Sequence, residues 1–363
     1  MTEKKGIVFH DYLQVNGGAE RLVIALASGL GPCKLAVSGT YPDFLESGDM
    51  RGVNCVVLAK RLSRLSRIPR ALLAFLRTVN EATDVDWAIY SGVYAPLAVT
   101  SQKRGKKIFY CHTPPRFAFD WESQYLQRVL PILRPFLRLA IAGYRQSYLN
   151  AVRRMDVVIT NSHHVQYRFK RATGLDSQVI YPPIDTASFQ WKGQGDYYLS
   201  LGRLEPNKRI DRVIEAFLRM PEKKLVVTSG GSELEALKRL AAGASNIHFT
   251  GWVNDAGLAT LIGFSIACIY IPRDEDFGMS TVEAMAAGKP ILGVNEGGLK
   301  ESMIDGETGL LLPSDPTVDM IVKAISALSA QTCAAMRAAC ENQAARFSEA
   351  RFLTEVRDLI TVG

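Results

Sequence analysis

The sequence predicts an α/β protein built from two doubly wound, Rossmann-like domains with parallel sheets that face a central cleft. Three observations predict it. The chain has 363 residues, room for two domains of ordinary size. Short apolar runs alternate with helix-like stretches along its whole length, as βα units require. The alternation stops and restarts once, across a segment rich in proline and glycine that runs from Pro182-Pro183-Ile184-Asp185 to Gly193-Gln194-Gly195.

In the first half, strands are expected at Gly6–His10, Lys34–Val37, Trp87–Tyr90, Lys107–Cys111, Val157–Thr160 and Val179–Tyr181. Each is a short apolar run followed by polar or small residues. A helix is expected over Ala19–Ser28. In the second half, strands are expected at Tyr197–Leu201, Lys224–Thr228, Asn246–Thr250, Ile266–Tyr270, Pro290–Val294 and Gly309–Leu312. Two helical segments follow, about Pro316–Arg346 and Glu349–Leu359. The domains are thus expected at 1–185 and 186–346, with 347–363 a C-terminal helix that packs back toward the first domain.

Composition narrows the class. Hydrophobic residues make up 47% of the chain and charged residues 22%, which supports two cores and excludes global disorder. No charge-free apolar run of about 18–20 residues occurs, so no transmembrane helix is expected. The start, MTEKKGIVFHDY, reads as a first strand and not a signal peptide. Six cysteines (Cys33, Cys55, Cys111, Cys268, Cys333, Cys340) form no C-x-x-C and no zinc-like spacing, so they read as buried thiols in a reducing cytoplasm.

Charge is uneven. Residues 1–185 hold 25 Lys and Arg against 14 Asp and Glu, a net of +11, while residues 186–363 hold 18 against 22, a net of −4. A basic half suggests contact with an anionic surface. Lys60, Arg61, Arg64, Arg67 and Arg70 lie in one acid-free run, and Leu126–Leu149 sets Arg128, Arg134, Arg138 and Arg145 among Leu, Ile and Phe. Such mixtures suit a membrane interface, and a solvated basic helix is the plain alternative. No nucleic-acid motif is present, so nucleic acid is not expected as a partner.

The chemistry-bearing stretch is Asp274-Glu275-Asp276-Phe277-Gly278-Met279-Ser280-Thr281-Val282-Glu283, which runs on into Ala284-Met285-Ala286-Ala287-Gly288-Lys289-Pro290. It reads as a carboxylate-bearing loop after a strand, with a helix opening near Ser280. Backbone N–H groups at a helix N-terminus attract phosphate, and Gly278 and Ser280 allow close approach. Glu283 in the first turn can grip a ribose diol, and Glu275 can face sugar hydroxyls. Asp84-Val85-Asp86 precedes a strand and reads as a turn, not a metal motif.

The E-x7-E spacing, with D-F-G inside it and E-A-M-A-x-G-K-P after it, resembles the retaining GT-B glycosyltransferases of family 4. The resemblance extends over nearly the whole chain. Gly202-Arg203-Leu204-Glu205-Pro206-Asn207-Lys208-Arg209 is similar to that family's phosphate-binding Arg and Lys loop. Asn16-Gly17-Gly18-Ala19-Glu20-Arg21 is similar to its N-terminal glycine loop, and Thr160-Asn161-Ser162 and Asn295-Glu296-Gly297-Gly298 match other stretches. Cys111-His112-Thr113-Pro114-Pro115-Arg116, with Phe119-Asp120-Trp121 behind it, resembles the mannosyltransferase branch.

What the resemblance implies is a transferase moving a hexose with retention, mannose from GDP-mannose, onto a lipid-linked or polysaccharide-precursor acceptor at the inner membrane face. A UDP-sugar with a soluble acceptor, and a non-catalytic nucleotide-sugar-binding module, stay open. The first domain would bind the acceptor and the second the nucleotide-sugar. His112, Glu275, Arg203 and Lys208 are the expected catalytic residues. Two cations at a leaving diphosphate stabilise the transition state more than the ground state. The donor is expected on Gly17, Gly18, Arg203, Lys208, Trp252, Val253, Glu275, Phe277, Gly278, Met279, Ser280 and Glu283. The acceptor is expected by Asp11, Arg116 and Asp120, although Asp11 could equally be a structural cap. Gly230-Gly231-Ser232 could touch phosphate or be a plain turn. No cofactor is expected beyond the nucleotide-sugar co-substrate, and no metal.

Overall fold

The computed structural model describes residues 5–14, 17–42, 44, 50, 52–77 and 79–361. The chain forms two compact units. One runs to Tyr181 and takes in the stretch from Phe352 onward; the other is Pro182–Arg351.

The first unit holds a parallel sheet ordered β3-β2-β1-β4-β5-β6-β7. Its strands are β1 (Gly6–His10), β2 (Cys33–Val37), β3 (Asn54–Val57), β4 (Trp87–Ser91), β5 (Lys106–Cys111), β6 (Val157–Thr160) and β7 (Gln178–Val179). β1 and β4 are buried at every position, as central parallel strands covered on both faces must be. Successive residues therefore enter opposite cores. Phe9, Tyr90 and Phe109 pack with Phe75 and Tyr148 on one side, while Val8, Ile89 and Tyr110 pack with Leu22 and Leu26 on the other. The helices are α1 (Gly18–Gly29), α2 (Arg67–Leu76), α3 (Glu122–Gln127), α4 (Arg134–Val152) and α5 (His163–Thr173).

The second unit repeats the plan with a parallel sheet ordered β10-β9-β8-β11-β12-β13. Its strands are β8 (Tyr197–Ser200), β9 (Lys224–Thr228), β10 (Ile247–Gly251), β11 (Cys268–Ile269), β12 (Ile291–Val294) and β13 (Gly309–Leu312). Its helices are α6 (Ile210–Leu218), α7 (Leu234–Leu240), α8 (Asp255–Phe264), α9 (Met279–Ala286), α10 (Leu299–Ser302), α11 (Val318–Ala327), α12 (Ala330–Ala335) and α13 (Arg337–Ala345). In both sheets the order reverses beside the first strand, at β1/β4 and β8/β11. Loops diverge there at the carboxyl ends of the strands and leave room for a ligand.

The last helix, α14 (Glu349–Thr361), belongs to the first unit. Phe352, Leu353, Val356 and Ile360 recur at helical spacing and enter the α1 side of that core. The Phe352 ring meets Tyr110 edge-on at 5.9 Å between centroids. Leu353 packs where a side chain on Gly29 would sit.

Three expectations change in detail. β3 was not expected, although Cys55-Val56-Val57-Leu58-Ala59 is an apolar run: Asn54-Cys55-Val56-Val57 is a half-exposed edge strand. The segment 316–346 is three helices, because Ser329 caps a new start by accepting a bond from the Thr332 N–H. The cysteines are all free thiols, but Cys33 and Cys55 are only half-buried.

The proline- and glycine-rich stretch is bonded to the second unit. Lys192 N–H donates to Gly263 O at 3.0 Å and Gly195 N–H to Phe264 O at 2.7 Å. Lys289, fully buried, donates to Gly193 O at 2.6 Å and sits 3.3 Å from the centre of the Trp191 ring.

Candidate functional site

In the second unit, the loops leaving β8 and β11 are tied together. Arg273 N–H donates to Asn207 O at 2.7 Å. Lys208 therefore lies beside Glu275 and the end of β11. Lys208 Nζ donates to Glu275 Oε2 at 2.6 Å and to the Tyr270 hydroxyl at 2.7 Å, and that hydroxyl donates to the same carboxylate oxygen at 2.8 Å. Burial and the neighbouring Glu275 push the Tyr270 phenol well above its ordinary range, so it stays a donor. Gly202, at φ 101°, gives Tyr270 its room: a Cβ there would lie 2.9 Å from the ring. The Arg203 side chain is exposed next to this cluster and makes no hydrogen bond or ion pair among the described residues.

The Glu275 loop is held from behind by Asn295-Glu296-Gly297-Gly298. Gly298 N–H donates to Glu275 O at 2.9 Å, and Glu296 accepts from Asp274 N–H at 2.8 Å. Gly297, at φ 60°, presses on the Glu275 carbonyl oxygen so closely that no side chain fits between them. The three non-glycine residues at positive φ among the described residues, Arg209, Ser229 and Asp274, all lie at the carboxyl ends of this one sheet. Strained backbone gathered on one sheet edge is a mark of a functional rim. Arg209 is pinned by the Ser314 carbonyl and lies 3.5 Å from Glu296.

The remaining donor candidates are placed as follows. α9 begins at Met279, with Gly278 as its N-cap at φ 84° and no side-chain cap, so its amide end is unobstructed by a capping group. Met279 and Ser280 form the first turn. Glu283 lies in the second turn, not the first, and is 2% exposed. Phe277 is a core residue that meets Phe347 edge-on at 5.4 Å, so only its backbone can serve a ligand. Trp252 is 69% exposed after β10, with its indole N–H edge against Gly230; Val253 is half-buried. Gly231 packs against the Leu204 carbonyl, and Leu204 N–H donates to Gly230 O at 2.9 Å, so this pair of glycines joins two loops.

In the first unit the carboxyl ends of β1, β4 and β5 bring His10, Ser91 and His112 together. Ser91 Oγ lies 2.8 Å from His112 Nε2 and 3.2 Å from His10 Nδ1. One hydroxyl proton serves two ring nitrogens, so at least one of those nitrogens carries its own proton. Burial lowers His10 to about 4 and, with His10 adjoining, lowers His112 to about 3. Both rings are neutral near pH 7. Asn161 Nδ2 donates to His112 O at 2.9 Å and fixes the turn.

The acceptor candidates are placed as follows. Asp11 does not face outward. Its Oδ2 accepts from Val93 N–H at 2.7 Å, and its Oδ1 from Tyr94 and Ala95 N–H at 2.7 and 2.8 Å. Gly92, at φ 114°, wraps directly over that carboxylate. Burial pushes Asp11 up to about 6 against the pull of these three donors. It is the structural cap that the sequence left open. Asp120 is likewise engaged, paired with the buried Arg168. Arg116 stacks 4.4 Å from the centre of the Trp121 ring. Gly17 is the N-cap of α1 at φ −92° and Gly18 its first residue, so neither uses a positive φ; Asn16 lies outside the described residues. Asp84 pairs with Arg104, and Asp86 accepts from Lys5 N–H at 2.8 Å, as a turn requires.

Sequence reasoning missed Tyr270, Ser91 and Glu296 as parts of these clusters. For Tyr270 a signal existed: it is the polar-tipped residue closing an apolar run just before the acidic loop. Ser91 offered none, because its partners are 81 and 21 residues away.

Two sequence families match the chain. The model described as "Glycosyl transferases group 1" matches residues 183–347, and that described as "Glycosyltransferase Family 4" matches residues 16–188. The human alpha-1,3/1,6-mannosyltransferase ALG2 is 24% identical over 351 residues, covering 83% of this chain and 82% of its own. The phosphatidyl-myo-inositol mannosyltransferase of Mycobacterium tuberculosis is 30% identical over 158 residues, 40% of this chain and 42% of its own. Among solved structures, Anabaena Alr3699/HepE in complex with UDP and glucose superposes with a TM-score of 0.78 at 17% identity, covering 99% of this chain and 100% of that one. The last likeness carries the fold.

Proposed function

Because this chain belongs to the family 4 glycosyltransferases of GT-B fold, we propose that it transfers mannose from GDP-mannose, with retention, to a lipid-linked or polysaccharide-precursor acceptor at the inner membrane face. Glycosyl transfer is the family's activity. The choice of mannose is supported by the mannosyltransferases among its relatives. The single observation that carries the site assignment is the cluster in which Lys208 binds Glu275 and Tyr270 together, with unpartnered Arg203 beside it.

In this reading the donor diphosphate lies on Arg203, on Lys208 and on the amide end of α9. Arg203 offers two parallel N–H bonds to phosphate oxygens and Lys208 a point charge. As the bond from C1 to the diphosphate oxygen breaks, charge gathers on that oxygen, and the fixed cations meet it without reorganising. The acceptor hydroxyl attacks C1 from the leaving-group face, its oxygen bonds to C1, and its proton passes to the departing phosphate. Glu275, held at the Lys208 and Tyr270 contacts, takes a sugar hydroxyl, and Glu283 the ribose. His112, neutral and oriented through Ser91, accepts or donates one hydrogen bond to the hexose. The cations supply the charge that a divalent ion supplies elsewhere, so the reading needs no metal.

Among the described residues no helix is long and apolar enough to cross a membrane. The membrane face of this proposal rests instead on the basic first unit.

A thermal-shift panel of GDP-, UDP- and ADP-sugars tests the donor. The preferred nucleotide at 100 times its Kd adds about 2.7 kcal/mol of stability. Mannose transfer followed by anomeric analysis of the product tests the rest. Stabilisation by UDP-sugars alone, or an inverted product, overturns the corresponding part.

A further inference from the structure

Three adjacent strands of the first unit share one hydroxyl group at their carboxyl ends. β4 lies between β1 and β5, and His10 pairs directly with Ser91 across β1 and β4. The Ser91 side chain is fully buried. Among the described residues it has two partners, His112 Nε2 at 2.8 Å and His10 Nδ1 at 3.2 Å. The placing of the hydrogens here decides what His112 offers at its other nitrogen.

His10 fixes the direction. Besides facing the Ser91 hydroxyl, its ring donates to the Ser91 backbone carbonyl. A carbonyl oxygen only accepts, so the His10 nitrogen turned toward Ser91 carries a hydrogen. Ser91 Oγ therefore accepts from His10 Nδ1–H. Its own hydrogen is left for His112 Nε2, which is the shorter of the two contacts. A neutral imidazole holds one hydrogen, so His112 carries it on Nδ1. That nitrogen makes no hydrogen bond among the described residues, and His112 is half-buried, not sealed in the core. Burial of Ser91 and His10 keeps water from competing for these bonds.

We infer that Ser91 and His10 are positioning residues that fix His112 as a hydrogen-bond donor, its Nδ1–H meeting a hydroxyl oxygen of the donor hexose. The inference rests on the reading above that sets the hexose beside His112. It carries a chemical consequence. The ring presents no lone pair to the ligand, so His112 is not the base that takes the acceptor's proton. That proton is left to the departing phosphate.

The test is nitrogen NMR on the full chain, isotope-labelled only at its five histidines, with His112→Gln and His10→Asn to identify the two signals. Near pH 7 His112 should show a protonated Nδ1 and a bare Nε2. Ser91→Ala should lose that pattern, both nitrogens moving to intermediate shifts as the two tautomers exchange. A bare Nδ1 or a charged ring in the unaltered chain overturns the inference, and so does an unchanged pattern in Ser91→Ala. GDP-mannose should move the His112 Nδ1 resonance, and GDP should not. A GDP-mannose complex that leaves this resonance in place overturns the hexose contact. Thermal stabilisation by GDP-mannose, measured on the same samples, judges the donor reading separately. Stabilisation with the wrong tautomer sinks only this inference, and the expected tautomer without stabilisation sinks only the donor.

Discussion

Lys208 and Glu275 meet at 2.6 Å, and the Tyr270 hydroxyl lies within 2.8 Å of both. In the proposed reading, the cation that would meet a diphosphate and the carboxylate that would meet a sugar thus hold each other in position before any donor arrives. A preformed arrangement of this kind lowers the cost of ordering charge during transfer. It also ties the two residues, so their substitution should not be additive.

Lys208→Ala and Glu275→Ala should each lower kcat by about 100- to 1,000-fold, and the double variant by little more than the worse single one. Tyr270→Phe, which keeps the ring and removes the hydroxyl, should lose about tenfold or less. Steady-state kinetics on all four, with circular dichroism for fold, decides it. Near-normal turnover in the two single alanine variants removes these residues from the chemistry.

Gly297→Ala should damage activity from a distance. The methyl group would collide with the Glu275 carbonyl at a residue already at φ 60°. The loop must shift, so kcat should drop while the melting temperature changes by only a few degrees. If kcat is retained, the loop does not need its present position.

Asp11→Ala should unfold the chain more readily and not merely weaken acceptor binding. Three backbone N–H groups lose their acceptor inside the protein, at about 1–3 kcal/mol each in the worst case. Urea denaturation should report a loss of at least about 2 kcal/mol. A stable variant with a raised acceptor KM would instead restore Asp11 to the acceptor site.

Acid should destabilise the first unit through its histidines. His10 and His112 are lowered from 6.5 to about 4 and about 3. The unfolded chain binds their protons below pH 6.5 and the folded chain refuses them, so this stability is complete above 6.5 and is lost as pH falls toward 4. Each histidine contributes up to about 1.4 kcal/mol per pH unit, less for the half-buried His112. Asp11, raised from 3.8 to about 6, works the other way: its contribution is complete below 3.8 and lost as pH rises toward 6. His10→Asn should flatten the acid slope in urea titrations between pH 6.5 and 4. An unchanged slope would show that His10 is not held neutral.

The fold was legible wherever burial on both sheet faces forces an unbroken apolar run, as at Val157–Thr160 and Lys224–Thr228, where the boundaries coincide. It was missed at Asn54–Val57, an edge strand with no fully buried position, even though Cys55–Ala59 is an apolar run. Local motifs disclosed the donor candidates because strand, loop and helix start are contiguous there. The backbone role read for Phe277 is compatible with its ring packing against Phe347. Asp11 could not be resolved because its partners lie 82 to 84 residues downstream, a separation that carries no local pattern.

The helix Glu349–Thr361 completes a core that begins at β1. As the chain leaves the ribosome, the second sheet can therefore close while the first still lacks a wall, and Trp87, Tyr110 and Leu26 await side chains made some 240 residues after Tyr110. Synthesis order and folding order are inverted for this half of the molecule. A released chain truncated before Phe352 should hold its N-terminal half as a sticky, protease-sensitive intermediate while the second unit resists proteolysis.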